Sequence, residues 1–158
     1  MNTETLIWIA RQLARIDSSE TPINDELRKA ISCAYYALFH ALCNCVADQW
    51  TGLDQQLKGS DAWVQAYRLL EHGKIKNACI KICSSKRFPE DLIAMAQVFM
   101  IVQSMRLRAD YDPMSIFSLD ETIDTIDLVE EAIRKLRNAD ANDRMAFISF
   151  LAFPHRKD

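Results

Sequence analysis

The sequence predicts an all-α protein, an antiparallel up-and-down bundle of five or more helices. Apolar residues recur every three or four positions through most of the chain, and no segment sustains the alternation of a half-buried strand. Three glycines and four prolines in 158 residues are too few for the tight turns of a sandwich or barrel. A chain of this length makes one domain around one core, taken as residues 1–158, with no internal repeat and no low-complexity tract.

Leu6, Ile9, Leu13 and Ile16 mark a first amphipathic helix from Thr3 to about Ile16. Asp17 to Pro22 is a loop, with Pro22 suited to the first position of the next helix. That helix is expected from about Ile23 to Trp50, on the stripe Leu27, Ile31, Ala34, Leu38, Leu42 and Val46. Gly52 to Gly59 is a polar loop. Ser60 then caps a short helix from Asp61 to Glu71, with His72-Gly73 as its end and His72 interacting with the helix dipole. Another short helix follows from Lys74 to Ser84. Pro89-Glu90-Asp91 opens a long helix that Pro113 must stop, since proline brings no N–H and its ring clashes with the preceding turn. Ser118 and Glu121 form a capping box before a helix whose inner face is Ile123, Ile126, Val129, Ile133 and Leu136. Its acids, Asp120, Asp124, Asp127 and Glu131, read as a solvated face. Met145 to Phe153 make a last short helix, and His155 lies in a solvated tail.

A net charge of −3 gives no global basic surface, so no duplex DNA partner is expected. The longest apolar run, Met145 to Phe153, is about half what a bilayer needs, and the N-terminus resembles no leader peptide; a soluble, cytoplasmic protein with no membrane partner is expected. The five cysteines, Cys33, Cys43, Cys45, Cys79 and Cys83, are an odd count and read as small hydrophobes in helix packing. Cys79 and Cys83 share a helix face that could suit a metal, but no metal or cofactor is assigned.

Two polar series interrupt the oily helices. Arg28, Ser32, Tyr36, His40 and Asn44 stand four residues apart and draw one line along the second helix. Arg106, Arg108, Asp110, Tyr111 and Asp112 crowd the end of the long helix, with Arg106 and Asp110 spaced to pair and Arg108 turned to another side. Polar heads on apolar helices require partners, so the two series are expected to face one another. The cluster is open to two readings, a structural network clamping two helices or a ligand site. No Gly-rich phosphate loop, His-Glu-x-x-His motif or serine elbow is present.

The run from Arg28 to Ala41, with its serine, paired tyrosines and Phe39-His40, resembles the corresponding helix of HEPN domains (higher-eukaryote and prokaryote nucleotide-binding). Arg106 to Pro113 resembles the Arg-x-x-Ala-Asp-Tyr-Asp-Pro motif of one bacterial branch of that group, as do Trp63, Tyr67-Arg68 and His72-Gly73-Lys74. The resemblance spans about residues 25–150. It implies a HEPN-like helical bundle that dimerises, a nucleotide or RNA as ligand, and a nucleotidyltransferase as partner in a toxin–antitoxin or defence setting. HEPN ribonucleases carry an arginine followed four to six residues later by histidine; here no histidine follows Arg106 or Arg108 at that spacing, and Asp110 stands in that neighbourhood.

Two functions follow. One is a dimeric interaction or nucleotide/RNA-binding module using Arg28, Ser32, Tyr36, His40, Asp110, Tyr111 and Asp112. The other is a metal-independent endoribonuclease with Arg106 or Arg108 as the cation that stabilises a phosphorane and His40 as the base.

Overall fold

The computed structural model describes residues 2–52 and 56–153. Among them are seven α-helices and no strand: α1 Thr3–Leu13, α2 Asn24–Trp50, α3 Asp61–Tyr67, α4 His72–Ser85, α5 Glu90–Tyr111, α6 Leu119–Asn138 and α7 Ala141–Ala152. Part of the Gly52–Gly59 loop, and His155 with its tail, fall outside the described residues.

The helix starts follow side-chain chemistry. Asn2, Ser60, Ser118 and Asp140 each accept from a backbone N–H of the first turn they precede, and so satisfy donors that a helix leaves open. At α2 the device is inverted, because Ile23 has no capping oxygen; its backbone N–H instead donates to the Glu26 carboxylate at 2.9 Å. Pro22 therefore lies outside α2 rather than in its first turn.

Two ends differ from the sequence expectation. Helix α1 stops three residues before Ile16, because Arg15 turns left-handed at φ 52°. Its guanidinium, paired with Glu20 and Glu26, ties that turn to the start of α2. His72 and Gly73 do not end α3. They begin α4, so His72 is not the dipole-facing helix-end residue its His-Gly context suggests. Tyr67 closes α3 four residues earlier than Glu71, and Lys86, left-handed at φ 51°, ends α4.

Helix α2 is the spine. It packs against α1, α3, α5, α6 and α7, while α4 packs on α5 and α7. Leu27, Ile31, Ala34, Leu38, Leu42 and Val46 are all buried. One apolar core runs from Ile7 and Ala10 of α1 through Tyr35 and Leu38 of α2 and Phe99 of α5 to Phe147 of α7. Burial of each such large side chain is worth about 1.5–3 kcal/mol. A second, smaller cluster of Leu27, Ile31, Ala109 and Phe117 joins the start of α2 to the end of α5. Helices α2 and α5 are both long and apolar enough to cross a membrane by length and composition; in this fold 72% of the most apolar window of α2 is buried against its neighbours, and 44% of that of α5.

All five cysteines are free, Cys43 and Cys79 buried and the others half-buried. Among the described residues no three His, Cys, Asp or Glu side chains come together as a metal would require. Asp120, Asp124, Asp127 and Glu131 of α6 are exposed, with Asp127 and the half-buried Glu130 paired to Arg11, and Glu131 to Arg134.

Candidate functional site: the α2–α5 groove

The two polar series meet. Arg28 Nε donates to the Ala109 carbonyl at 2.8 Å and Nη1 to that of Pro113 at 3.4 Å, so it closes the open carbonyl end of α5. Asn24, one turn earlier, was not singled out by sequence. Its Nδ2 donates to the Ser115 carbonyl at 3.1 Å, and its Oδ1 accepts from the Phe117 N–H at 3.0 Å. Asp112 accepts from the Met114 N–H and the Ser115 hydroxyl and so shapes the same turn. Arg28 and Asp112 thus have backbone work to do at the end of α5.

Above them lies the charged centre. The Ser32 hydroxyl donates to Asp110, and Arg106 Nη2 donates to Tyr36 Oη at 2.6 Å. Arg106 Nε stands 2.7 Å from Asp110 Oδ2, yet its N–H is not aligned along that contact; the pair is an ion pair rather than a directed hydrogen bond. The guanidinium carbon lies 5.3 Å from the Tyr36 ring centroid, 5.2 Å from that of Tyr111 and 5.8 Å from that of Tyr35, each within cation–π range. Burial penalises this cation, but Tyr36, Asp110 and Tyr111 more than offset the penalty and hold its pKa above the ordinary value.

From Arg106 a ladder of rings climbs α2 toward α3. Tyr36 stacks on His40, His40 lies nearly parallel to Tyr67 at 5.8 Å, and Tyr67 stacks on Trp63 at 5.0 Å. The Tyr67 hydroxyl bonds His40 Nδ1, and Trp63 Nε1 donates to Asp48 at 2.8 Å. With Tyr111 at the open end, 70% exposed, six side chains form one run: Trp63, Tyr67, His40, Tyr36, Arg106, Tyr111. Burial lowers the His40 pKa, so the imidazole is neutral at pH 7.

Behind the ladder, Tyr35 is fully buried and its hydroxyl meets His72 Nδ1 at 2.5 Å, while His72 stacks on Phe39 at 3.9 Å. Gln103 Nε2 donates to the His72 carbonyl at 3.0 Å, and its buried Oε1 accepts no hydrogen bond among the described residues. Burial pushes the Tyr35 hydroxyl well above its ordinary pKa and lowers that of His72, an effect the Arg106 charge reinforces.

The groove in front has a volume of about 550 Å³ and is lined by Leu6, Lys29, Ser32, Tyr36, His40, Asp110 and Tyr111 among others. Ser32, Tyr36, His40, Arg106, Asp110 and Tyr111 thus share one site. Arg108 does not join it; it is exposed and lies over Phe117 at 5.0 Å. Asn44 is wound away round α2 to a different cavity. Tyr35, Trp63, Tyr67, His72 and Gln103 complete the site without having been picked as site residues. Tyr35, Trp63, Tyr67 and His72 lie in the stretches that carry the family resemblance, and Gln103 carried a local signal of its own, a polar amide one turn after Phe99 on the buried side of α5. Compared with known proteins, the chain matches no family model, no curated protein and no solved structure.

Proposed function

We propose that this protein is a HEPN-like, dimeric helical module that binds a nucleotide or single-stranded RNA along the α2 ladder. The observation that carries this reading is the unbroken run of rings from Trp63 to Tyr111 with the Arg106 cation inside it. Unpaired bases stack on aromatic and guanidinium faces whatever their sequence, each contact worth about 1–3 kcal/mol. Lys29 at the groove's edge supplies a cation for phosphate. With a net charge of −3, affinity rests on stacking more than on a basic surface, and its salt dependence is shallow. The test is fluorescence anisotropy of short labelled single-stranded RNA with Tyr111→Ala, a change at an exposed ring that leaves the core intact. The variant should bind roughly 5- to 100-fold more weakly. Equal binding by the variant, or none by the parent, overturns the reading.

Leu107, Met114 and Ile116, all exposed around the end of α5, supply the apolar surface for the homodimer. Light scattering that finds only an 18.1 kDa species at micromolar concentration refutes that part. A nucleotidyltransferase partner in a toxin–antitoxin pair fits the same reading.

One observation favours the endoribonuclease alternative: neutral His40 lines the groove, and among the described residues no hydrogen bond reaches its Nε2, as a general base requires. Against it, Arg106 already faces Asp110 and Tyr36, and Arg108 lies elsewhere. Cleavage of total RNA in EDTA, lost in His40→Gln, would establish this alternative.

A further inference from the structure

Asn44, the fifth member of the polar line, belongs to a second cavity of about 290 Å³ set among α1, α2, α6 and α7, with Lys58 of the loop before α3 on its wall. Three cations, Lys58, Arg137 and Arg144, line it against a single acid, Asp48. Asp48 already accepts the Trp63 indole N–H at 2.8 Å. The remaining walls offer the neutral polar groups of Thr3 and Asn44.

The cations are under-compensated. Arg11, Arg15, Arg106 and Arg134 each meet a carboxylate of this chain. Among the described residues, neither Lys58 nor Arg144 has a carboxylate within ion-pairing distance, and Arg137 reaches only Glu4, at 3.4 Å. Arg144 is nonetheless fixed in place. Its Nη1 donates to the carbonyls of Arg137 at 2.9 Å and Ala139 at 3.0 Å, at the carbonyl end of α6. Those bonds orient the guanidinium without neutralising it. The Cys45 thiol in the same wall is pushed up to about 11 by burial, so it brings no competing negative charge at pH 7.

A concave site with pre-oriented cations, neutral donors and too little internal negative charge is complementary to an anion from outside. Its volume lies at the small end of ligand pockets, about 300 Å³, the size of a small anion's site. We propose that this cavity binds a phosphate group, either free phosphate or the monoester of a small phosphorylated metabolite. The site is separate from the α2–α5 groove and does not depend on what that groove binds.

The test uses the full chain and a thermal-shift titration at constant ionic strength, with inorganic phosphate in one arm and ribose 5-phosphate in the other. Ligand that binds only the folded state raises the melting temperature in a concentration-dependent way. The double variant Lys58→Gln/Arg137→Gln replaces two solvent-reachable side chains and should weaken binding about tenfold or more. Arg134→Gln, whose parent side chain pairs with Glu131 outside this cavity, should bind as the parent does. Tighter binding of ribose 5-phosphate than of phosphate identifies a phosphorylated metabolite, and equal binding identifies phosphate itself. No concentration-dependent rise in either arm, or the same rise in the double variant, overturns the assignment.

Discussion

Arg106→Ala is the sharpest perturbation of the groove. The substitution removes the counter-charge of Asp110, the donor to Tyr36 Oη and the cation among three tyrosine rings. Orphaning one partner of a fully buried ion pair costs about 3–5 kcal/mol. Here the side chains remain 15% and 20% exposed and the groove admits water, which screens the abandoned carboxylate. Asp110 also keeps the Ser32 hydroxyl. The expected loss is therefore at the low end, about 3 kcal/mol, a large share of the 5–15 kcal/mol typical of a whole domain. With a urea m-value of about 2 kcal/mol/M the unfolding midpoint should fall by about 1.5 M. A double-mutant cycle with Asp110→Ala should return a coupling of about 1–3 kcal/mol, because the double variant leaves no charge unpaired. A loss below about 1 kcal/mol together with coupling near zero would refute the reasoning. The pair would then be a solvated contact, and the stability of the α2–α5 junction would rest on its apolar cluster and backbone bonds alone.

Two further perturbations probe the surroundings. His40 and His72 have folded-state pKa values lowered below the ordinary 6.5, chiefly by burial, so the unfolded chain takes up their protons first; their contribution to stability is complete above about pH 6.5 and is lost as pH falls through the lower folded values. The urea midpoint should accordingly drop between pH 7 and 5.5, less steeply in His40→Gln/His72→Gln, and a flat profile for the parent would count against buried neutral imidazoles. Asn24→Ala removes both hydrogen bonds that hold the turn after α5, and should cost about 2 kcal/mol in the same assay with helicity by circular dichroism unchanged.

The helical architecture was legible because burial imposes a period: the α2 stripe from Leu27 to Val46 repeats every three to four residues, and all of it is inside. Starts were legible at Ser60 and Ser118, where a hydroxyl in the sequence becomes a cap in the structure. Ends were legible at Trp50 and before Pro113, where α2 and α5 stop as read, but not for α1 and α3, because the sequence signal for an end is glycine, and here Arg15 adopts the left-handed conformation while Gly73 lies inside a helix. At the site, the spacing of Ser32, Tyr36, Arg106 and Asp110 on their own helices foretold that they would need partners, and they found one another. Spacing within a helix says nothing about which loop or short helix arrives from elsewhere. The contributions of Tyr67 and His72, which come from α3 and α4, could not be read from it. The same limit separates Tyr35 from Tyr36, adjacent in sequence yet turned to different partners, His72 and Arg106.

The clamp at the end of α5 also bears on the order in which the molecule assembles. Arg28 and Ala109 are 81 residues apart, and Asn24 and Phe117 are 93 apart, whereas α1 and α2 are neighbours in the chain. Contacts that close so long a loop cost chain entropy before they return anything, so local helix pairs form ahead of them. Asn24 and Arg28 are therefore expected to latch after the rate-limiting step, and to govern how long the native state persists rather than how quickly it is reached. In stopped-flow measurements Asn24→Ala should steepen the loss of native protein through faster unfolding and leave the refolding arm almost unmoved. Slower refolding of that variant would mean that the α2–α5 junction is already built in the transition state.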